Sequence, residues 1–346
     1  MKGYVAIAVE DDAVYLLYGQ VHFDAEGKVI DIRADHPDRK PYHSETVARP
    51  VPDIRELFPD FLRKYVLDFI GGCLKKGRPV AAVGISVFGN VDPKNGVIVN
   101  RPSVDKYANM RRTMQVREDV EHAFPELKGV ELVLSNDASA AAMGELVSGN
   151  GKNHGNAFAY AWLGRGVNVG IILNNEVHGG FLHPEMSHFF PRIDERDHEY
   201  VTRSKTSTNT SCIVHRDCLL GLMSLRALVD RENHGMDRDT IMSIYANYTA
   251  HLCLALTVTI APARIIADGY VFRSGYLDHK KTLALVRENF QAMIGDFPLY
   301  PQIKTASSYI VPGALASQAG LHGIVELVKR RLANQSQHDM MARGSR

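Results

Sequence analysis

Several features that would assign a chain to a specialised class are scarce in this sequence. Only four of its 346 residues are cysteine, too few for a disulfide scaffold of this size. Neither sign of charge dominates, because 40 Lys and Arg residues face 39 Asp and Glu residues, and this balance argues against a nucleic-acid or polybasic membrane partner. The longest apolar run, 252–261, has about half the length of a membrane span. Since the N-terminus has no apolar leader with a cleavage site, we expect a cytoplasmic protein without a membrane partner.

The spacing of apolar residues predicts an α/β protein with mixed sheets. Strands are predicted at 4–9, 14–23, 80–88, 97–99, 130–134, 157–163, 167–173, 263–267 and 309–311. Helices are predicted at 54–74, 111–124, 138–146, 219–233, 238–260, 280–294 and 314–332. Strands alternate with helices in a chain longer than one hydrophobic core usually serves, which indicates two lobes with a cleft between them.

Two of the four cysteines stand close together, with a histidine between them. Cys212, His215 and Cys218 form a Cys-x2-His-x2-Cys run in a polar segment. Zinc prefers four such ligands in a tetrahedral array, so a fourth is needed, and His183 and His188 both lie upstream. Four protein ligands would make the metal a structural clip rather than a hydrolytic centre. The alternative is that these side chains share a loop by accident.

The other chemical candidates each have a plain structural explanation as well. Asp137 follows a predicted strand and begins a predicted helix, where it is either a general base or a helix cap. Gly164 and Gly166 would let a hairpin approach a phosphate, but a tight turn explains them equally well. Glu185 would bind a polyol or lie in solvent as an ordinary surface acid.

The order of these motifs resembles that of the ROK family of sugar kinases and repressors. The resemblance rests on VGISVFG at 83–89, VDPKNGVIVN at 91–100, SNDASAAAMGE at 135–145, LGRG at 163–166, HPEMSH at 183–188, the Cys-x2-His-x2-Cys run and LLGLMS at 219–224. The HPEM element and the histidine within the cysteine run look more like the bacterial fructokinase branch than the glucokinase or repressor branches.

This resemblance implies an actin-like, hexokinase-type fold related to ribonuclease H, with two lobes that close over a sugar and ATP. We expect a small lobe at 1–118, a larger lobe with the metal loop at 119–313, a final helix at 314–332 that packs back onto the first lobe, and a disordered tail at 334–346. The implied cofactors are structural zinc and, in an active enzyme, magnesium and ATP. The implied assembly is a homodimer.

The resemblance also assigns roles to individual residues. Asp137 matches the catalytic base that deprotonates a sugar hydroxyl. The matched sugar contacts are Asn136, Glu185 and His188, and the matched nucleotide-binding residues are Gly164, Gly166 and Gly269. The matched zinc ligands are His188, Cys212, His215 and Cys218.

The chain departs from the family pattern mainly where a nucleotide would bind. Glu10-Asp11-Asp12 replaces the glycines of the first phosphate loop, and Arg165 replaces a threonine of the second. Further departures are Asn168 for a glycine, Ala267-Asp268 for a Gly-Gly pair and Leu220 for a sugar-binding glutamate. Three functions therefore stay open: a fructokinase-like hexose kinase, an inactive homologue that senses a sugar or binds a protein, and a protein repurposed for another ligand.

Overall fold

The computed structural model describes residues 2–11, 13–25, 28–41, 65–99, 114–180, 183–207, 211–212, 214–295, 303 and 305–344. The chain divides into two compact units, Met1–Gly144 with Gly320–Arg346, and Glu145–Ala319. The first unit extends beyond the boundary predicted at 118, because the strand Glu131–Asn136 pairs in parallel with the strand Ala82–Val87 of the same sheet.

The first unit is built on a mixed sheet of six strands. They are β1 (Lys2–Val9), β2 (Ala13–Phe23), β3 (Val29–Ala34), β4 (Asp38–Pro41), β5 (Ala82–Val87) and β9 (Glu131–Asn136), in the order β3-β2-β1-β5-β9 with β4 also paired to β2. β1 and β2 form the predicted hairpin, and β1, β5 and β9 run parallel. A small antiparallel sheet contains β6 (Asn90–Asp92), β7 (Val97–Val99) and β8 (Met114–Gln115).

The two faces of the large sheet are covered by different helices. Alternate residues of β1 point to opposite faces, as the period of two in a strand requires. Val5 and Ile7 pack in one cluster with Val66 and Ile70 of α1 (65–75). The alternate residues of β1, on the opposite face, pack with the C-terminal helix, Ala319–Gly344. This helix lies so close to β5 that a Cβ atom added to Gly84 would be 2.4 Å from Val328.

Two predicted helices and the predicted C-terminal tail of this unit differ from the structure or lie partly outside the described residues. The helix predicted at 111–124 begins only at Val116 (α2, Val116–Ala123), because Met114–Gln115 pairs with β7 instead. The tail predicted from residue 334 is wrong, since the C-terminal helix continues to Gly344, and Gln, Met, Ala and Arg, which favour a helix, make up about half of this stretch. The predicted helix at 54–74 is described only from residue 65, so its first part lies outside the described residues.

The second unit contains a five-stranded mixed sheet. Its strands are β10 (Ala157–Leu163), β11 (Val167–Leu173), β12 (Glu176–Val177), β13 (Arg264–Asp268) and β14 (Ile310–Val311), in the order β12-β11-β10-β13-β14. β10 and β11 have the predicted bounds and pair antiparallel, whereas β10, β13 and β14 are parallel. Mixed sheets in both units confirm the predicted α/β class.

The helices of the second unit enclose its core. They are α4 (His198–Thr206), α5 (Leu219–Met223), α6 (Leu225–Asn233), α7 (Arg238–Ile260), α8 (Tyr270–Arg273), α9 (His279–Ile294) and α10 (Ala306–Tyr309), and α3 (Asp137–Ser148) enters from the first unit. The helix predicted at 219–233 is two helices, because Ser224 is extended and its side chain caps α6 by accepting from the Ala227 amide. α7 is long and apolar enough to span a membrane, but 67% of its apolar window is buried in the protein, as in a core helix.

A buried ion pair joins three of these elements. Arg231 of α6 is 1% exposed and donates two hydrogen bonds, of 2.7 and 2.6 Å, to the carboxylate of Asp197. The same carboxylate accepts from the Tyr248 hydroxyl of α7 at 2.7 Å, and Arg231 also donates to the Leu222 carbonyl of α5 at 2.8 Å. The pair therefore fixes the segment before α4 and the end of α5 against the core.

We expect Asp197→Ala to lower the free energy of unfolding by about 3–5 kcal/mol, because it leaves the Arg231 guanidinium buried without its counter-ion. Glu199→Ala is the matched control: Glu199 pairs with Arg203 but its side chain is 83% exposed, and its loss should cost less than about 1 kcal/mol. Urea unfolding measures both variants. Equal stability of the two variants would contradict the structural role of the pair.

Candidate functional site

Asp137 lies at the point where a parallel strand ends and a helix begins. β9 ends at Asn136 and α3 starts at Asp137, so the carboxylate stands at the positive end of a helix, which favours its ionised form. The side chain is 7% exposed, and its Oδ1 accepts a hydrogen bond of 2.7 Å from the Ala138 amide. This bond runs to the neighbouring amide and holds the carboxylate in place, whereas the capping contact to the amide two residues on is made by Asn136.

Asn136 braces the same turn. Its Oδ1 accepts from the Ala138 amide at 3.0 Å, and its Nδ2 donates to the Gly89 carbonyl at 2.9 Å. Gly89 has a φ of +93°, a left-handed conformation that glycine adopts without strain. The amide side chain thus links the start of α3 to the turn after β5 and fixes the backbone that carries Asp137.

The acidic segment that replaces glycines is partly buried in the first unit. Glu10 is 3% exposed, and its amide donates to the Ala13 carbonyl at 2.9 Å across the β1–β2 turn. A Cβ on Gly320 would lie 2.5 Å from Glu10 Oε1, so this carboxylate packs against the first turn of the C-terminal helix. A helix N-terminus stabilises such a charge. Asp12 lies outside the described residues.

In the second unit, four side chains converge in a cluster that could hold a metal ion. Their ligand atoms, from His188, Cys212, His215 and Cys218, all lie within 4.8 Å of one another. His188 Nδ1 lies 3.6 Å from the Sγ atom of each cysteine, and His215 Nδ1 lies 3.1 Å from His188 Nδ1.

The local backbone brings these ligands together. His188 ends the short helix Met186–His188, and Cys218 precedes the first residue of α5. Between the cysteines, Arg216 adopts a left-handed φ of +66°, and the His215 amide donates to Cys212 Sγ at 3.3 Å. A hydrogen bond from Cys218 lowers the pKa of the Cys212 thiol, and the same bond, together with burial, raises the pKa of Cys218. A thiolate, the form that binds metal, is thus favoured at Cys212.

Glu185 and His183 take different positions around this cluster. Glu185 Oε2 lies 3.7 Å from Nε2 of His188, whose Nδ1 faces the other ligands, so the carboxylate stands behind a ligand imidazole. His183, the alternative fourth ligand, instead places Nε2 2.7 Å from Oδ1 of Asn168. Burial lowers the pKa of His183 to about 4, so the neutral ring donates this bond from Nε2. Sequence reasoning noted Asn168 only as a departure and missed the pairing.

The three glycines predicted to bind a nucleotide meet at one edge of the second sheet. The Gly164 amide donates to the Gly166 carbonyl at 2.9 Å and closes the turn between β10 and β11. Gly269 follows β13 with a φ of +152°, and a Cβ there would lie 2.3 Å from the Leu163 carbonyl oxygen. This residue must be glycine for the ends of β10 and β13 to touch. Arg165, inside the turn, is only 8% exposed.

Comparison with known proteins gives this geometry a family context. The sequence model of the ROK family matches residues 35–331. The fructokinase of Pediococcus pentosaceus is 28% identical over 272 residues, which cover 74% of this chain and 83% of that enzyme.

Solved structures show the same fold. The ROK hexokinase of Thermus thermophilus has a TM-score of 0.59 and 17% identity, covering 93% of this chain and 96% of that one. A ROK family glucokinase from Streptomyces griseus, solved in complex with glucose and AMPPNP, has a TM-score of 0.56 and 19% identity, covering 94% and 98%. The fold is therefore that of the actin-like sugar kinases, and since the family match spans most of its length, this chain belongs to the ROK family.

Proposed function

We propose that this protein is a cytoplasmic, fructokinase-like hexose kinase that uses ATP and magnesium. The observation that carries the proposal is the fixed carboxylate of Asp137 at the end of β9, braced by Asn136 at the start of α3. Membership of a family whose curated relatives include fructokinases supports the same function.

The proposed reaction assigns Asp137 the role of general base. Its carboxylate accepts the proton of a sugar hydroxyl while that oxygen forms a bond to the γ-phosphorus of ATP and the bond to the β-phosphate oxygen breaks, releasing ADP. Magnesium, when bound, neutralises charge on the phosphates. Asn136 fixes the backbone of the base and is also a proposed sugar contact.

Glu185 and His188 are the proposed sugar contacts of the second unit. Both side chains are partly exposed to solvent, at 34% and 25%, so a ligand can reach them. An ionised carboxylate accepts hydrogen bonds from sugar hydroxyls, and His188 would be oriented through its other nitrogen by the metal. Gly164, Gly166 and Gly269 are proposed to line the nucleotide site, and the proposed assembly is a homodimer.

We propose zinc as the metal of the cluster, in a structural role. Bonds of about 2.3 Å to sulfur and about 2.05 Å to nitrogen place tetrahedral nitrogen pairs about 3.3 Å apart and nitrogen–sulfur pairs about 3.6 Å apart. The corresponding distances here are 3.1 Å between the two histidines and 3.6 Å from His188 to each cysteine. Two thiols and two imidazoles suit zinc and fill its four positions.

A sugar sensor without kinase activity is the second candidate, and the acidic residues favour it. Glu10 occupies the β1–β2 turn where the family has glycines. Asp268 replaces another glycine of the family pattern, and its Oδ2 lies 2.5 Å from the position that a Cβ on Gly313 would take. Carboxylates at these positions would repel the phosphates of ATP. Calorimetric titration with ATP·Mg, with and without fructose, separates the candidates. Nucleotide binding favours the kinase, whereas sugar binding without nucleotide binding favours the sensor.

Asp137→Asn should lower kcat by about 10²- to 10⁴-fold, because the amide cannot accept the hydroxyl proton. Sugar affinity, measured by calorimetry, should stay close to that of the wild type. Asp68→Asn, at an exposed position of α1, is the matched control and should retain full activity. Undiminished turnover in Asp137→Asn would remove this residue from the role of base.

Protein purified without chelators should contain about one zinc ion per chain by elemental analysis. Cys218→Ala should lose the ion and unfold at a lower temperature, since the proposed metal would link His188 to Cys212, His215 and Cys218. Cys253→Ala is the control, because Cys253 is equally buried but lies in the core cluster of α7. Metal-free wild type, or zinc retained by Cys218→Ala, would overturn the zinc assignment.

A further inference from the structure

The second unit contains a cavity of about 400 Å³ that none of the roles proposed above uses. Residues 192–196, which precede α4, line it together with Asn247 and His251 of α7 and Met293 of α9. Asn247 and His251 are four residues apart, so they lie on the same face of their helix. The volume of the cavity is in the range of small-molecule sites.

Hydrogen bonds of Asp194 hold one wall of this cavity in place. Its Oδ1 accepts from Arg196 Nε at 2.8 Å, and its Oδ2 accepts from Arg196 at 2.7 Å and from Asn247 Nδ2 at 2.9 Å. The Asp194 amide donates to the Tyr248 hydroxyl at 3.3 Å, and that hydroxyl donates to the buried Asp197. The wall is thus tied to the core of the unit. A cavity that is formed beforehand loses less entropy when a ligand binds.

Two other side chains of the cavity have no such bonds. Among the described residues, neither Arg192 nor His251 has a hydrogen-bond or ion-pair partner for its side chain. Burial lowers the pKa of the His251 imidazole, and the positive charge of Arg192 lowers it further. An anion bound to both groups would remove this repulsion and favour the protonated imidazole.

The carboxylates that line the cavity do not cancel this positive charge. Asp194 is neutralised by Arg196, which donates to both of its oxygens. Glu195 is exposed to solvent, where water and salt screen its charge. The cavity therefore offers a ligand one guanidinium without a counter-ion among the described residues, and one imidazole beside it.

The remaining groups of the cavity suit the uncharged part of a small organic molecule. Asn247 donates through Nδ2 to Asp194, which leaves its Oδ1 to accept a hydrogen bond from a hydroxyl. Ile193 and Met293 are partly buried against the core and supply an apolar surface for a carbon chain.

We propose that this cavity binds a small hydroxylated organic anion, with its phosphate or carboxylate group on Arg192 and His251 and a hydroxyl on Asn247. A guanidinium binds either anionic group in bidentate geometry, and an imidazole adds a charge-assisted hydrogen bond. The proposal is independent of the proposed kinase function, since it uses none of the residues assigned to that reaction.

Calorimetry with sorbitol 6-phosphate, gluconate and sorbitol tests the proposal, because these probes share a polyol chain and differ at one end. Saturating fructose is present throughout, so that the proposed sugar site is occupied. At least one of the two anions should bind about 10- to 100-fold more tightly than sorbitol, the gain expected for a charged hydrogen-bonded contact. Binding of only one of them identifies the anionic group as phosphate or as carboxylate.

Three variants of the cavity and one control locate the binding. Arg192→Ala should weaken anion binding by about 10- to 100-fold, and Arg192→Lys by less, because lysine keeps the charge but not the bidentate geometry. His251→Phe keeps a ring of similar size without its nitrogens and should weaken binding by about 2- to 10-fold. Lys280→Ala, at an exposed position in the first turn of α9, is the control and should bind like the wild type.

Thermal unfolding separates ligand binding from a structural role of Arg192. Without a ligand, Arg192→Ala should melt at the same temperature as the wild type, and the anion should raise the melting temperature of the wild type by more than that of the variant. Equal anion affinity in the wild type and Arg192→Ala overturns the proposal. A wild type that binds neither anion, or that binds sorbitol equally well, also overturns it. None of these results bears on phosphoryl transfer, which the turnover of Asp137→Asn tests.

Discussion

Parallel strand pairing is the constraint that positions Asp137 in the first unit and the predicted nucleotide glycines in the second. Parallel neighbours end at one edge of a sheet, and in this protein the residues that follow those ends carry the candidate functions. β9 delivers Asn136 and Asp137 to the first turn of α3, and β10 and β13 bring the turn at Gly164 against Gly269. Neither site needs a long loop to position its side chains, so both are held by the sheets themselves.

The segment from His183 to Cys218 is organised differently, because it contains only short helices among its described residues. The contacts that order it include the candidate metal-ligand cluster, the buried Arg231–Asp197 pair and the hydrogen bond from His183 to Asn168. The last contact ties the HPEMSH segment to β11, the strand that leaves the turn containing Arg165. The candidate metal cluster and the proposed sugar contact Glu185 thus belong to one segment, in which Glu185 lies 3.7 Å from the candidate ligand His188.

Much of the fold follows from local sequence signals. β10, β11 and α7 have the predicted bounds, because each is a long run with one clear apolar pattern. The split at Ser224 depends on one capping hydrogen bond, and the strand at Met114–Gln115 depends on a partner strand; periodicity reports neither. The C-terminal helix continues through the polar segment 334–344. This segment has no amphipathic pattern, so the sequence predicts a tail there instead of a helix.

The sequence predicts which residues form the candidate site but not which side chains contact one another. The motif order identified Asp137 and the four possible metal ligands, and the structure brings those four together. The motif order could not show that Glu10 packs beside Gly320, that His183 forms a hydrogen bond with Asn168, or that Arg165 lies over the ring of Tyr270. Each of these contacts joins residues that are separated in the sequence. Glu10, Asn168 and Arg165 all depart from the family pattern. In the sequence each looks like the loss of a binding residue, whereas in the structure each makes a specific contact.

We propose that this chain transfers a phosphoryl group from ATP to a hexose. Phosphorus NMR of wild-type protein incubated with fructose and ATP·Mg tests it directly. We expect a sugar phosphate resonance that grows in equal amount with ADP and is absent when fructose is omitted. ATP left unchanged, or ADP formed with inorganic phosphate instead of a sugar phosphate, would contradict it.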